Sequence, residues 1–324
     1  MKHIPVRNYL LYLLPFLFLF LILLFPTQAR DGASNGLLLW FNVLLPTLLP
    51  FMVLSDLIRR LHIVDRLCKR ISTRTGKNLY FLYPLLLGLL TGLPLGAKLT
   101  ADAVRSGQLS LKKGQLLLTV CNNSSTMFLM GYVAEVQLQR PELIGCFLLF
   151  VPLSSLLAAI LPATFSTLFA LLCKGFQQHP ITSPQDSSPS VVIHSLTASV
   201  PSKTPFIASV SSSIMDSFTT ITQVGGFVIL FSVLAEFTLL IDSPLTLPLV
   251  ASLEMTTGVR VLCASSLSEN AKTILSAAAV SFTGLSGIAQ TACVLSETGL
   301  SLMHYIISRF LSAALCSLFF LLVL

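Results

Sequence analysis

Glycines, prolines and polar residues interrupt four otherwise apolar stretches of this chain, and these interruptions are its candidates for chemistry. In the first half they are Gly92, Pro94, Gly96 and Lys98, then Asn122, Asn123, Ser124 and Ser125; in the second half they are Glu254, Thr257 and Gly258, then Gly284, Ser286, Gly287 and Gln290. Where a helix breaks, its free N–H groups and positive dipole end can hold an anion. The pattern therefore predicts a binding site for a small anionic substrate.

Lys98 and Glu254 carry charge within these groups, and each has two interpretations. Lys98 is either a counter-ion for the substrate or a side chain that snorkels to the membrane interface, which is also the role expected of Arg309. Glu254 either couples transport to protons or cations or serves as a structural hydrogen-bond anchor, because an acid inside a membrane needs a partner or a proton. Arg260, six residues later, is a candidate partner for it.

The composition excludes a water-soluble globule. Of 324 residues, 54% are hydrophobic and 10% charged, with a mean hydropathy of +0.85, whereas a soluble domain has about 25% charged residues. A spanning helix needs about 20 apolar residues, so the chain has room for roughly eight to ten membrane-embedded segments. The lipid bilayer is therefore an expected partner.

The net charge of +7 and the seven cysteines have simple explanations. The basic residues concentrate in the loop 59–78 and around Arg105, Lys112 and Lys113, and cytoplasmic loops of membrane proteins collect such charge. We interpret the excess as a topology signal and expect no nucleic-acid partner. The cysteines are scattered singly, so neither a metal site nor a cofactor is expected.

Predicted helices position the candidate residues. In the first half we predict a retained helix at 10–26, with cleavage of residues 1–29 as a signal peptide the alternative, a helix at 37–58, a hairpin at 80–107, a broken helix at 115–134 and a helix at 143–172. In the second half we predict a helix at 218–241, an interrupted short segment at 246–262, a broken helix at 272–296 and a helix at 301–324.

The two halves repeat one order of elements: spanning helix, interrupted short segment, broken helix, spanning helix. This order predicts an all-α integral membrane protein of two inverted-repeat halves, with re-entrant hairpins and broken transmembrane helices, and such interruptions mark the binding site in transporters. The domains are an N-terminal transmembrane helix and loop at 1–36, a first repeat at 37–173, a Ser/Pro-rich linker at 174–205 and a second repeat at 206–324. The side of the membrane on which the linker lies stays open.

An enzyme is not expected. Gly284-Leu285-Ser286-Gly287 has the form of an intramembrane serine protease motif, and His304 follows on the next helix. Counting about 1.5 Å per helical residue separates Ser286 and His304 by roughly 10 Å in depth. A nucleophile and its base must share a hydrogen bond, so this pair is too far apart.

Several stretches resemble a known family. They are LWFNVLLPTLLPFMVLSDL, GLLTGLPLGAKLTADAVRSGQL, CNNSSTMFLMGYVA, VGGFVILFSVL, LEMTTGVRVL and FTGLSGIAQ, in this order. They resemble the sporulation integral membrane proteins of the YlbJ (SpoVV) type, within the Gate or nucleoside-recognition domain superfamily. The resemblance covers nearly the whole chain from about residue 37 and spares the linker.

The resemblance implies a multi-pass protein of the bacterial cell membrane, in particular the outer forespore membrane, that moves dipicolinic acid during spore maturation. Dipicolinate is a small planar dianion, which suits a site of helix N-termini and Lys98. The main alternative is a non-transporting scaffold that binds other sporulation membrane proteins, and a lesser one is a nucleoside or ion transporter. The family's motifs fall on the same four groups of residues given above.

Overall fold

The computed structural model describes residues 6–63, 66–67, 70–71, 80–173, 206–241 and 243–324. Within these residues every regular element is a helix. Five helical stretches there are long and apolar enough to cross a membrane, and three shorter apolar helices accompany them. The protein is thus an all-α integral membrane protein, as predicted. The linker 174–205 and much of the basic loop 59–78 lie outside the described residues.

The described residues of the first half contain several main helices. They are α1 (Val6–Leu24), α2 (Pro26–Leu39), α3 (Leu45–Arg60), α4 (Leu82–Thr91), α5 (Leu95–Arg105), α6 (Leu111–Cys121), α7 (Phe128–Gln137) and α8 (Ile144–Cys173). A π-helical turn at Trp40–Leu44 joins α2 to α3, and α7 is itself π-helical. The predicted helix at 143–172 is therefore confirmed as α8.

In the described residues of the second half there are six helices. They are α9 (Phe206–Thr238), α10 (Thr246–Leu253), α11 (Met255–Ala264), α12 (Glu269–Phe282), α13 (Gly284–Leu295) and α14 (Leu302–Val323). The breaks predicted at Glu254 and at 283–287 are confirmed, since α10 ends at Leu253 and α12 at Phe282. The spanning helix predicted at 218–241 begins twelve residues earlier.

The loop predicted before residue 37 is wrong, because α2 already begins at Pro26. Its polar, glycine-containing sequence is a packing surface against α9. A Cβ atom on Gly32 would lie 2.8 Å from Val233 Cα, and one on Gly36 would lie 2.9 Å from Ile229 Cα. The glycines that make this segment look like a loop are needed because the backbones of α2 and α9 approach each other closely.

Two helical hairpins approach the middle of the protein from opposite ends. We define the basic end of the protein by Arg60 and Arg105. The hairpin of α4 and α5 starts there, because Tyr83 Oη at the start of α4 donates to the Ser55 carbonyl near the end of α3. The hairpin of α10 and α11 starts at the far end, where Phe237 of α9 packs against Phe25, with ring centroids 6.2 Å apart. This opposition matches the inverted order of the halves. Re-entry of the hairpins into a membrane stays a prediction.

Labelling of introduced cysteines will test the topology. In a background without native cysteines, His62→Cys and Ser110→Cys at the basic end should resist a membrane-impermeant thiol reagent added from outside. Gln139→Cys, exposed beside α8 at the far end, should react. Reaction at position 110 together with protection at position 62 would contradict the re-entrant hairpin, because α4 and α5 would then cross the membrane.

Candidate functional site

The tip of the first hairpin packs directly on the break between α6 and α7. Leu93 N donates to the Asn123 carbonyl at 2.8 Å. Gly92 has a φ of +71°, and a Cβ on Gly96 would lie 2.3 Å from the Cys121 carbonyl oxygen. These glycines therefore serve the turn and the close approach of backbones, because any side chain there would collide with the broken helix.

The tip of the second hairpin packs on the break between α12 and α13 in the same manner. Thr283 and Gly284 both adopt left-handed backbone conformations, with φ of 72° and 67°. A Cβ on Gly284 would lie 3.2 Å from the Leu253 carbonyl oxygen, and one on Gly258 would lie 2.3 Å from Ala251 Cα. Each half thus places a hairpin tip against its own broken helix.

Asn122, which is fully buried, joins the two halves at the first break. Its Oδ1 accepts from Ala97 N at 3.1 Å, and its Nδ2 lies 2.8 Å from both Thr291 Oγ1 and Tyr305 Oη. Nearby, Ser124 Oγ donates to the Val280 carbonyl at 2.8 Å. The polar residues of this break are hydrogen-bonded to protein, so they fix the junction of the hairpin with α12, α13 and α14.

Arg309 does not snorkel, contrary to the expectation from sequence. Its side chain is fully buried on α14, where the guanidinium donates to Asn123 Oδ1 and to the Thr119 carbonyl. The guanidinium carbon also lies 5.2 Å from the centroid of the Tyr305 ring. The guanidinium points inward because the end of α6 leaves backbone and amide oxygens without partners. Lipid cannot donate hydrogen bonds to these oxygens, whereas the guanidinium can.

Glu254 lies at the tip of the second hairpin and caps α11. Its Oε2 accepts from Thr257 N at 2.7 Å and from Thr256 Oγ1. The pairing considered between Glu254 and Arg260 does not occur: the carboxylate turns to the helix N-terminus that it caps. A negative charge is favoured at that position by the helix dipole.

A narrow central cavity of about 20 Å³ lies between the hairpin tips and the second break. Its polar lining comes from both halves: Ser125, Glu254, Thr256, Thr283, Ser286 and Gln290. Gln290 Nε2 donates to Ser286 Oγ at 3.2 Å. Thr283 Oγ1 and Gln290 Oε1 are buried and have no hydrogen-bond partner. Buried polar atoms of this kind are rare and indicate a ligand, an ion or water.

Lys98 lies between larger cavities that open toward the basic end. The vestibule, of about 460 Å³, is bounded by Arg59, Arg60 and Asp102 among others. A constriction follows, whose charged lining is Arg59, Lys98, Asp56, Asp102 and Asp216, and then an inner cavity of about 140 Å³ lined by Lys98 and Gln290. Successive cavities share lining residues, so they are neighbours in a series that ends beside the central cavity.

The candidate residues from the sequence thus fall into three groups. Ser125, Glu254, Ser286, Gly287 and Gln290 line the central cavity, and Pro94, Lys98 and Gln290 line the inner cavity. Gly92, Gly96, Gly258 and Gly284 allow close backbone contacts. The side chains of Asn122, Asn123, Ser124 and Thr257 make hydrogen bonds within the protein, with Thr257 Oγ1 3.0 Å from Ser232 Oγ.

Sequence reasoning missed three residues of this centre: Thr283, Tyr305 and Arg309. Thr283 belongs to the predicted break at 283–287 but was not among the candidate residues, although its place there could have identified it. Tyr305 and Arg309 lie four residues apart on α14, so they share a helix face. Two polar side chains on one face of an otherwise apolar helix could have indicated that this face is buried against other polar groups.

Comparison with known proteins gives one informative similarity. The chain is 28% identical to the sporulation integral membrane protein YlbJ of Bacillus subtilis (strain 168), over an alignment of 334 positions that covers 93% of this chain and 80% of that protein. No family model matches the chain, and no solved structure matches it. The similarity supports the resemblance to YlbJ-type proteins and, with the apolar helices, a membrane-associated role in sporulation.

Proposed function

We propose that this protein transports a small organic anion across the membrane. The observation that carries the proposal is the series of cavities from the vestibule at the basic end to the centre, where two hairpin tips meet two helix breaks. Interrupted helices in corresponding positions of two halves are the arrangement in which transporters bind substrate near the midplane. In the central cavity Thr283 Oγ1 and Gln290 Oε1 have no hydrogen-bond partner, which supports the binding of a ligand at this end of the cavities.

The arginines beside these cavities are paired with carboxylates, so it is Lys98 that favours an anion. Arg59 and Arg60 border the vestibule and form salt bridges with Asp56, and Arg60 also pairs with Asp216. Lys98 differs from them: within the described part of the chain no carboxylate lies in salt-bridge range of its half-buried Nζ. Its one hydrogen bond, to Thr220 Oγ1, is long at 3.5 Å.

The inner cavity beside Lys98 is therefore the proposed anion site. A half-buried ammonium that makes no salt bridge is unfavourable in a low-dielectric setting, and a bound anion would relieve part of that cost. The central cavity is less suitable, since the Glu254 carboxylate lines it. Dipicolinate is the proposed substrate, on the strength of the family resemblance and of its small size and negative charge.

Uptake by reconstituted protein tests the proposal. The purified chain would be placed in vesicles that contain no other protein, and entry of labelled dipicolinate would be followed over time. Saturable uptake, competed by unlabelled dipicolinate but not by a neutral pyridine of the same size, supports anion transport. Absence of uptake at high protein density would favour the scaffold of a sporulation complex.

Replacing Lys98 with alanine should reduce uptake at least tenfold, because loss of one charge-assisted contact is worth about 1.5–3 kcal/mol. The protein should stay folded, since Lys98 has only the long hydrogen bond to Thr220. Lys112→Ala is the matched control, because Lys112 is exposed outside the route and its removal should leave uptake unchanged. Normal uptake by Lys98→Ala would assign Lys98 to the membrane interface and overturn the counter-ion role.

A further inference from the structure

A second site, chemically opposite to the first, lies in the central cavity. Glu254 brings a buried carboxylate to it, and within the described residues no basic side chain pairs with that carboxylate. A charge buried in a medium of low dielectric constant needs compensation. The cap on α11 supplies part of it, through the two hydrogen bonds to Oε2 and the positive end of the helix dipole.

The other polar groups of the cavity are predominantly oxygen atoms. Gln290 directs its amide hydrogens toward Ser286 Oγ, which leaves Oε1, an acceptor only, without a partner. Thr283 Oγ1 is also without a partner, and the side chain is 1% exposed. Both residues lie on the second broken helix, whereas Glu254 lies on the hairpin tip packed against it.

We propose that the central cavity binds a sodium ion. Hard cations select carboxylate, carbonyl and hydroxyl oxygens, and one carboxylate with neutral oxygens balances a single positive charge. The cavity, at about 20 Å³, has room for one particle the size of a water molecule. Among the described residues no three His, Cys, Asp or Glu side chains gather to hold a metal ion, which disfavours a transition metal here.

A proton fits the same geometry less well. A protonated Glu254 has one O–H donor, which can bond to the oxygen of Thr283 or of Gln290 but not to both. A sodium ion would contact all three groups. Because Gln290 also lines the inner cavity, a cation in the central cavity would lie next to the anion site. The sodium site does not depend on anion transport, since it is defined by its own ligands.

Thermal unfolding of the purified full chain in detergent tests the site without any anionic substrate. Sodium chloride and choline chloride would be compared at equal ionic strength. We expect a saturable rise in unfolding temperature of roughly 5 °C with sodium and none with choline, because a ligand of the folded state stabilises it by mass action. Equal unfolding temperatures in the two salts would overturn the proposal. A dependence on pH alone would overturn it too, in favour of protonation.

Two variants and one control assign the effect to the cavity. Glu254→Gln keeps an acceptor for Thr257 N but removes the charge, and it should abolish the sodium-dependent rise. Thr283→Val removes one oxygen and should weaken the apparent sodium affinity several-fold, which provides a test if Glu254→Gln does not fold. Ser213→Ala is the control, because Ser213 Oγ is likewise buried and without a partner. It lies far from the cavity: along α9 it precedes Val228, which lines the cavity, by fifteen residues or about 22 Å. A response equally reduced in Ser213→Ala, or retained in Glu254→Gln, would contradict the site.

Discussion

Gly96→Ala should prevent the first hairpin from docking and should lower the stability of the protein by about 3 kcal/mol or more, at the upper end for overpacking. The added methyl group would lie 2.3 Å from the Cys121 carbonyl oxygen and 3.0 Å from Asn122 Cα. Both are backbone atoms, so neither can rotate away as a side chain could. The hairpin must move instead, and Leu93 N would lose its bond to the Asn123 carbonyl. The measurement is the unfolding temperature in detergent, with the yield of monodisperse protein.

Gly145→Ala is the matched control. Gly145, like Gly96, is the second residue of its helix, but a Cβ there would meet no atom within 4 Å. Alanine is a better helix former than glycine, so this change should be neutral or slightly stabilising. If Gly96→Ala were as stable as Gly145→Ala, the close packing of the hairpin on α6 would be wrong.

The positions of the helix breaks were predictable because they depend on local chemistry. Gly92 and Pro94 in an apolar stretch, and Gly284 in another, mark points where a helix ends or begins whatever surrounds them. Basic residues likewise predicted which loops share an end. The loop before residue 37 was predicted wrongly for the same reason: Gly32 and Gly36 have the composition of a turn, and only the presence of α9 beside them shows that they are a packing surface.

The partners of the polar residues were not predictable, because they lie far apart in sequence. Asn122 meets Tyr305 across 183 residues, and Arg309 meets Asn123 across 186. Glu254 had Arg260 close by in sequence, yet its carboxylate caps the helix that begins beside it. Periodicity identifies which side chains are buried, but the choice among acceptors depends on how the two halves are placed against each other.

Asn122→Ala should destabilise the protein by about 2–4 kcal/mol and weaken the connection between its halves. The substitution removes the partners of Ala97 N, Thr291 Oγ1 and Tyr305 Oη at once. Each lost hydrogen bond is worth about 0.5–1.5 kcal/mol net, and a buried donor left without a partner costs about 1–3 kcal/mol. Asn270→Ala is the control: Asn270 is exposed and makes two long hydrogen bonds, at 3.4 Å from Arg140 Nη1 and at 3.5 Å to the Leu324 carbonyl. Their loss should stay within about 0.5 kcal/mol.

A double-mutant cycle with Tyr305→Phe separates this connection from a simple loss of volume. Tyr305 Oη accepts from Asn122 Nδ2 and donates to the Asn122 carbonyl at 3.0 Å, so Tyr305→Phe alone leaves the amide with Ala97 N and Thr291 and should cost about 1 kcal/mol. Once Asn122 is alanine, the hydroxyl keeps only its bond to the backbone, and removing it should cost less. The double variant should therefore be more stable than the sum of the single effects predicts, by at least about 0.5 kcal/mol. Strict additivity would mean that the bond between the Asn122 and Tyr305 side chains adds nothing to the connection of α14 with the first break.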